Sequence, residues 1–121
     1  MVKALFDTNI LIDYLNGIAQ AQLELDRAES PMISIITWME VMAGALPAEE
    51  SDIREWLKTF DIVEIDAPVA ALAVRIRKER RITLPDAIIW ATARVHDALL
   101  VSRNLKDFPA SEPDVRVPYT L

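Results

Sequence analysis

Apolar and polar positions alternate in blocks along the chain, and the blocks change period. Val2 to Phe6 is a short apolar run, which reads as a buried strand. Asp7-Thr8-Asn9 follows, rich in capping residues, and Ile10, Leu11, Tyr14 and Leu15 continue at helical spacing. A second helix is predicted over Ala19 to Ala28, broken by Ser30-Pro31, and a second buried strand over Met32 to Ile36. Thr37 then fits an N-cap, with Glu40 three residues on, as in a capping box. Pro47 ends that helix. Ala48 to Phe60 carries Ile53, Trp56, Leu57 and Phe60 on one helical face. A third strand is expected at Ile62 to Ile65, and a long helix from Pro68 to about Arg80. The most apolar helix starts at Leu84-Pro85-Asp86 and runs to about His96. Strands at Leu99 to Val101 and Val115 to Val117 complete the pattern.

Strands that alternate with helices imply a parallel sheet covered on both faces. The near-continuous apolar strands fit that burial. The expected fold is a three-layer α/β/α sandwich with a mostly parallel sheet of four to five strands. The 121 residues, 52% of them hydrophobic, suit a single domain over 1–121.

Charge and composition remove several function classes. The formal net charge is −6, which disfavours a chain that grips nucleic acid by bulk electrostatics. It leaves room for a nucleic-acid enzyme whose metal site concentrates carboxylates. The basic run Arg75, Arg77, Lys78, Arg80 and Arg81 reads first as a solvated helix end. Having no cysteine removes thiolate metal sites and thiol nucleophiles. The two glycines, Gly17 and Gly44, form no phosphate-cradling loop. No run approaches a membrane span, and Lys3 and Asp7 interrupt any apolar leader, so a cytoplasmic protein is expected.

In parallel α/β sheets ligands bind beyond the carboxyl ends of the strands. That rule sorts the acids. Asp7 follows the first strand directly, Glu40 lies one turn into the helix after the second, and Asp86 sits in the first turn of its helix. Asn104 and Asp107 follow the fourth strand. Each has a plain structural alternative: Asp7 a cap or turn former, Glu40 half of a capping box, Asp86 a first-turn acid. Capping does not require these acids to share one sheet edge. Carboxylates that do so repel unless cations occupy them. Such oxygen ligands suit Mg²⁺ or Mn²⁺, and such a site can hydrolyse a phosphodiester with a metal-activated water.

These residues fall into ordered motifs. They are Phe6-Asp7-Thr8-Asn9 with Leu11 and Asp13, Thr37-x-x-Glu40, Leu84-Pro85-Asp86-Ala87 with Ile89, Ala91, Thr92 and Ala93, and Val101-Ser102-Arg103-Asn104 with Asp107-Phe108. In this order the sequence resembles a PIN-domain ribonuclease, and more narrowly a VapC-type toxin of a toxin–antitoxin pair. The resemblance implies a Mg²⁺- or Mn²⁺-dependent endoribonuclease with Asp7, Glu40 and Asp86 as its core acids. Thr8 and Asn9 match the polar pair beside the first acid, and Ser102 stands where threonine is common. Asn104 stands where many members carry a fourth acid, a place Asp107 could fill directly or through water. The expected site is one ion on Asp7 and Asp86, with Glu40 acting through water. Arg103, next to the site, is a candidate contact for a scissile phosphate, and Asp13 a supporting or capping group.

The resemblance also implies a cognate antitoxin, an RNA substrate such as tRNA, and a homodimer. Ile10, Leu11, Ile12, Tyr14, Leu15 and Ile18 exceed one core-facing stripe, which would leave an apolar patch for an interface. Two other functions compete. A phosphotransferase using Asp7 as nucleophile would want a second aspartate where Asn9 stands. A PIN module that binds RNA or protein without cleavage would have no need for all three acids.

Overall fold

A computed structural model describes residues 3–121. The sheet contains β1 (Lys3–Phe6), β2 (Met32–Ser34), β3 (Asp61–Val63), β4 (Ala98–Val101) and β5 (Val115–Arg116). Its order is β3-β2-β1-β4-β5, and every pairing is parallel. Six helices connect the strands: α1 (Thr8–Leu15), α2 (Ala19–Arg27), α3 (Ile35–Gly44), α4 (Glu50–Leu57), α5 (Ala67–Arg80) and α6 (Leu84–Val95). This is the expected α/β/α sandwich. Val2, assigned above to the first strand, lies outside the described residues.

The period-2 geometry of strands divides the apolar residues between two cores. Leu5, Met32 and Leu100 face one layer, where α5 and α6 bring Val69, Ala73, Ile76, Ile89 and Trp90. Their neighbours Phe6, Ile33 and Val101 face the other, with Ile10 and Leu11 of α1, Leu25 of α2, Val41 of α3 and Leu57 of α4. Every strand residue in these adjacent pairs is buried. The strands are continuously apolar because both faces are covered.

The strand order reverses at β1, which has β2 on one side and β4 on the other. The chain leaving β1 therefore opens a crevice between two diverging connections. Ligands bind at such a point in open α/β sheets. Asp7 is the residue there, and its N–H still donates to the Val101 carbonyl at 2.9 Å.

Two expectations are corrected. The second strand ends at Ser34, and α3 starts earlier than predicted. Ser34 is the N-cap, extended at φ −71° and ψ 151°, with its hydroxyl accepting from Ile36 N–H at 3.1 Å. Thr37 is thus inside the helix and fully buried, and no capping box with Glu40 exists. The apolar surplus in the first helix is mostly internal. Ile10 and Leu11 are buried, Ile12, Tyr14 and Ile18 pack against the second core, and Leu15 alone of the six is exposed. Tyr14 stacks on Trp56 with ring centroids 4.7 Å apart.

Candidate active site

Asp7 is held by neutral donors. Its Oδ1 accepts from Thr8 N–H at 2.8 Å, which also caps α1. Its Oδ2 accepts from the Ser102 hydroxyl at 2.7 Å and from Asn9 Nδ2 at 3.3 Å. Asn9 bridges further, from Nδ2 to Ser102 Oγ and from Oδ1 to the Arg103 N–H, each at 3.3 Å. The ends of β1 and β4 are therefore stitched together around one carboxylate. That carboxylate is only 4% exposed. Burial pushes its pKa up to about 6; Ser102 and Thr8 pull the other way, and Asp86 and Glu40 push it further up.

Glu40 arrives from α3 and is tied to the first motif through Thr8. The Thr8 hydroxyl donates to Glu40 Oε1 at 2.6 Å. Thr37 meets the same hydroxyl at 3.0 Å. With the Thr8 proton committed to Glu40, Thr37 is the donor of that pair. Thr37 thus has a place in the site, bracing Thr8, where the sequence had offered it as a motif residue and helix cap.

Asp86 occupies the first turn of α6, where its own N–H donates to the N-cap Thr83 at 3.3 Å. Burial raises its pKa; Thr83 opposes this, and Asp107 and Glu40 add to it. Asn104 and Asp107 form a small turn beside it. Asn104 Nδ2 donates to Asp107 Oδ2 at 3.1 Å, and Asp107 N–H returns a bond to Asn104 Oδ1 at 3.3 Å. Asn104 N–H donates to Ser102 Oγ at 2.9 Å.

Asp7, Glu40, Asp86 and Asn104 line one open cleft of about 330 Å³. Asp107 stands behind it, against Asn104. Arg103 also lines the cleft, with its guanidinium gripped by Asp13 through Nε and Nη2. A larger cavity of about 550 Å³ lies between α2 and the sheet, floored by Ala4, Phe6, Leu99 and Val101. It is mainly apolar, so the smaller cleft is where the chemistry-bearing groups converge.

The donor set fits a hard divalent cation: oxygen ligands only, and a buried aspartate whose charge no cation offsets. Among the described residues no three His, Cys, Asp or Glu side chains close into a ready-made cage. Mg²⁺ does not require one, since it retains several waters and is held through one or two carboxylates.

A family model described as PIN domain matches residues 4–110. The chain belongs to the PIN-domain family. Within that family it is similar to Ribonuclease VapC10 of Mycobacterium tuberculosis, 31% identical over an alignment 125 positions long that covers 94% of each chain. It is also similar to Ribonuclease VapC19 of that organism, 35% identical over an alignment 127 positions long, covering 95% of this chain and 98% of the relative. Among solved structures, a toxin–antitoxin complex from Klebsiella pneumoniae contains a chain with a TM-score of 0.93 and 46% identity, covering 98% of this chain and 100% of that one. FitAcB from Neisseria gonorrhoeae gives 0.80 and 27%, with coverage of 98% and 99%. The family match spans every motif named above, from Asp7 to Phe108.

Two clusters escaped the sequence reading. Tyr119, near the C-terminus, donates its hydroxyl to Asp13 Oδ2 at 2.8 Å, across 106 residues. Asp114 accepts from Trp90 Nε1 at 2.9 Å and Arg94 Nε at 2.7 Å. Neither Tyr119 nor Asp114 belongs to a motif, and no spacing signals contacts so distant. Asp66, exposed at the start of α5, caps that helix by accepting from Val69 N–H at 3.1 Å.

Proposed function

We propose that this PIN domain is a divalent-metal-dependent endoribonuclease and the toxin of a toxin–antitoxin pair. The observation that carries the reading is Asp7: a buried carboxylate at the sheet's switch point, surrounded by neutral donors and other acids, with its pKa raised to about 6. Burying a charge is costly unless it is paired, and here the missing partner is a cation. The relatives called ribonucleases support RNA as substrate.

Asp7 and Asp86 would hold Mg²⁺ or Mn²⁺, with Glu40 placing a water. The bound ion supplies an activated water and charge compensation at the phosphate. The chain's own groups prepare that site. Ser102, Thr8 N–H and Asn9 fix the Asp7 carboxylate before the ion arrives, so little reordering is needed. The Thr37–Thr8 pair aims Glu40 across the cleft. Asn104 and Asp107 border Asp86, where Asp107 could substitute for the fourth acid. The neighbours solved in toxin–antitoxin complexes support a cognate antitoxin as partner. A carboxylate cluster attracts guanidinium, so an arginine-bearing segment would suit this cleft. Self-association into a homodimer belongs to the same reading; a monomeric mass in solution at micromolar protein would count against it.

Purified protein should cleave RNA in Mg²⁺ or Mn²⁺, stop on chelation, and leave 5′-phosphate and 3′-hydroxyl ends. Retained cleavage in both Asp7→Asn and Asp86→Asn would sink the assignment. The reading as a PIN module that only binds draws on Asn104 and on the lack of a closed acidic cage among the described residues. Metal and RNA binding without cleavage of any substrate would favour it.

A further inference from the structure

The side chains lining the acid cleft include a single basic one, Arg103. Its pose is unusually constrained for a residue on a loop. Nε and Nη2 grip the two oxygens of Asp13 at 2.5 and 2.9 Å, in a fork across 90 residues. Asp13 itself is only 6% exposed, and its Oδ2 accepts a second bond from Tyr119 at 2.8 Å. The Arg103 N–H is held by Asn9. One buried carboxylate thus collects a helix, the loop after β4 and the C-terminal segment. Among the described residues, the hydrogen bonds of the Arg103 side chain all go to Asp13, which leaves Nη1 uncommitted at a cleft otherwise lined by acids and neutral groups.

We infer that Arg103 is the fixed anchor for an RNA phosphate beside the cleft, with Asp13 and Tyr119 as the positioning pair that holds it there. The inference rests on the ribonuclease reading above. A polyanion approaching a chain of net charge −6 meets its strongest repulsion at a cluster of carboxylates, so a cation at that rim is needed to set the strand's register. Phosphate contacts of this kind position a nucleic acid without reading its sequence. Arginine suits the task because its planar group can give one edge to Asp13 and keep N–H donors for a phosphate. A guanidinium free to rotate would instead collapse onto Asp7 or Asp86 and compete with the metal. Holding it to Asp13 keeps the opposite charges in one cleft from cancelling. Tyr119 makes this geometry depend on the last few residues, which reach back over α1.

The test reads RNA binding apart from cleavage. A short fluorescein-labelled oligoribonucleotide of mixed sequence is titrated with the Asp86→Asn chain at fixed Mg²⁺ over a KCl series, by fluorescence anisotropy. Adding Arg103→Gln should lower the slope of log K against log[KCl] by about 0.7, the loss of one phosphate contact on a single strand. Arg103→Lys should restore the slope but not the full affinity. Tyr119→Phe, which keeps the ring, should keep the slope and weaken binding several-fold. In the active chain Tyr119→Phe should raise KM more than it lowers kcat. Unchanged affinity and slope in Arg103→Gln, with only a lower Tm, would make the triad a structural tie and overturn the proposal. Lack of salt-dependent binding by the Asp86→Asn chain would overturn it too. Wild-type cleavage in the same buffer reports separately on the ribonuclease reading: a chain that loses slope in Arg103→Gln yet never cuts would retain the anchor and refute the enzyme.

Discussion

Asp7, buried, and Asp114, half-buried, are both aspartates beside the central sheet, and their surroundings drive them in opposite directions. Asp114 sits just before β5, where α6 runs out. Burial works against its charge there too, yet the Arg94 and Trp90 bonds outweigh it and hold its pKa below the usual range. Arg94 lies over the Trp90 ring at 4.5 Å and Arg80 at 5.0 Å, while Arg80 pairs with Glu112 at 2.5 Å. Asp7 has comparable hydrogen bonds from Ser102, Thr8 and Asn9, but every donor is neutral. Neutral donors orient a carboxylate; they compensate its charge far less than a cation does. An acid paired with a cation serves the fold, whereas a buried, oriented and unpaired one has the character required of the proposed cation site.

The largest expected effect separates the two directly. Asp7→Asn and Asp86→Asn should reduce RNA cleavage by more than the roughly 10–100-fold that loss of an outer partner of a metal site costs. Asp114→Asn should leave the rate per folded molecule near wild type, measured in the same assay below its melting temperature. A comparable loss of rate in Asp114→Asn would erase the distinction between the two aspartates.

Stability should show the converse ranking. Asp114→Ala strands the Trp90 N–H and the Arg94 guanidinium, which should cost about 1–3 kcal/mol in urea unfolding. Because the folded pKa of Asp114 is lowered, its contribution is present above the ordinary carboxylate range and fades as pH falls through the folded value. Asp7 has the reverse sign. Its folded pKa, about 6, exceeds the ordinary 3.8, so between those values the folded chain binds more protons than the unfolded one. Metal-free protein should therefore lose stability as pH rises through that window, by on the order of 3 kcal/mol from Asp7 alone. Asp7→Asn should flatten the slope in chelator. Mn²⁺ should stabilise the wild type above pH 6 and Asp7→Asn far less, both readable by thermal melts. A pH profile unaffected by Asp7→Asn would mean that Asp7 is charged and satisfied without a cation.

The same contrast explains what could be read before the structure. Asp7, Glu40 and Asp86 were legible because Asp7 follows a strand, Glu40 lies in the helix that follows another and Asp86 opens a helix, and parallel strands deliver such positions to one edge. The two-sided burial of the strands was legible from Leu5-Phe6, Ile33 and Leu100-Val101. Thr37 was misplaced because a cap and an inward-facing threonine look alike until the helix start is known, and Ser34 held the cap. Asp114 and Tyr119 were hidden for another reason. Their partners lie 24 and 106 residues away, and only the path of the loop after β4 and of the C-terminal segment brings them together. Local pattern carries no record of such closures.

The smallest effect concerns Asn104, which lies between the two kinds of environment. Its amide donates to Asp107 at 3.1 Å, and Asp107 in turn raises the pKa of Asp86. Asn104 therefore screens one acid from its neighbour as a neutral donor, much as Ser102 serves Asp7. Asn104→Asp removes that donor and sets a new carboxylate against Asp107, while the acceptor for Asp107 N–H is kept. Metal-free stability should fall by about 0.5–1.5 kcal/mol, the worth of one hydrogen bond. Metal should recover this, because added negative charge at the cleft favours a divalent cation. Calorimetric titration with Mn²⁺ should then show affinity rising a few-fold, or a second ion binding, while the Thr8–Glu40 side of the cleft is unchanged. A variant that is less stable without metal yet binds Mn²⁺ exactly as the wild type does would place Asn104 with Asp114, as part of the fold rather than of the cation site.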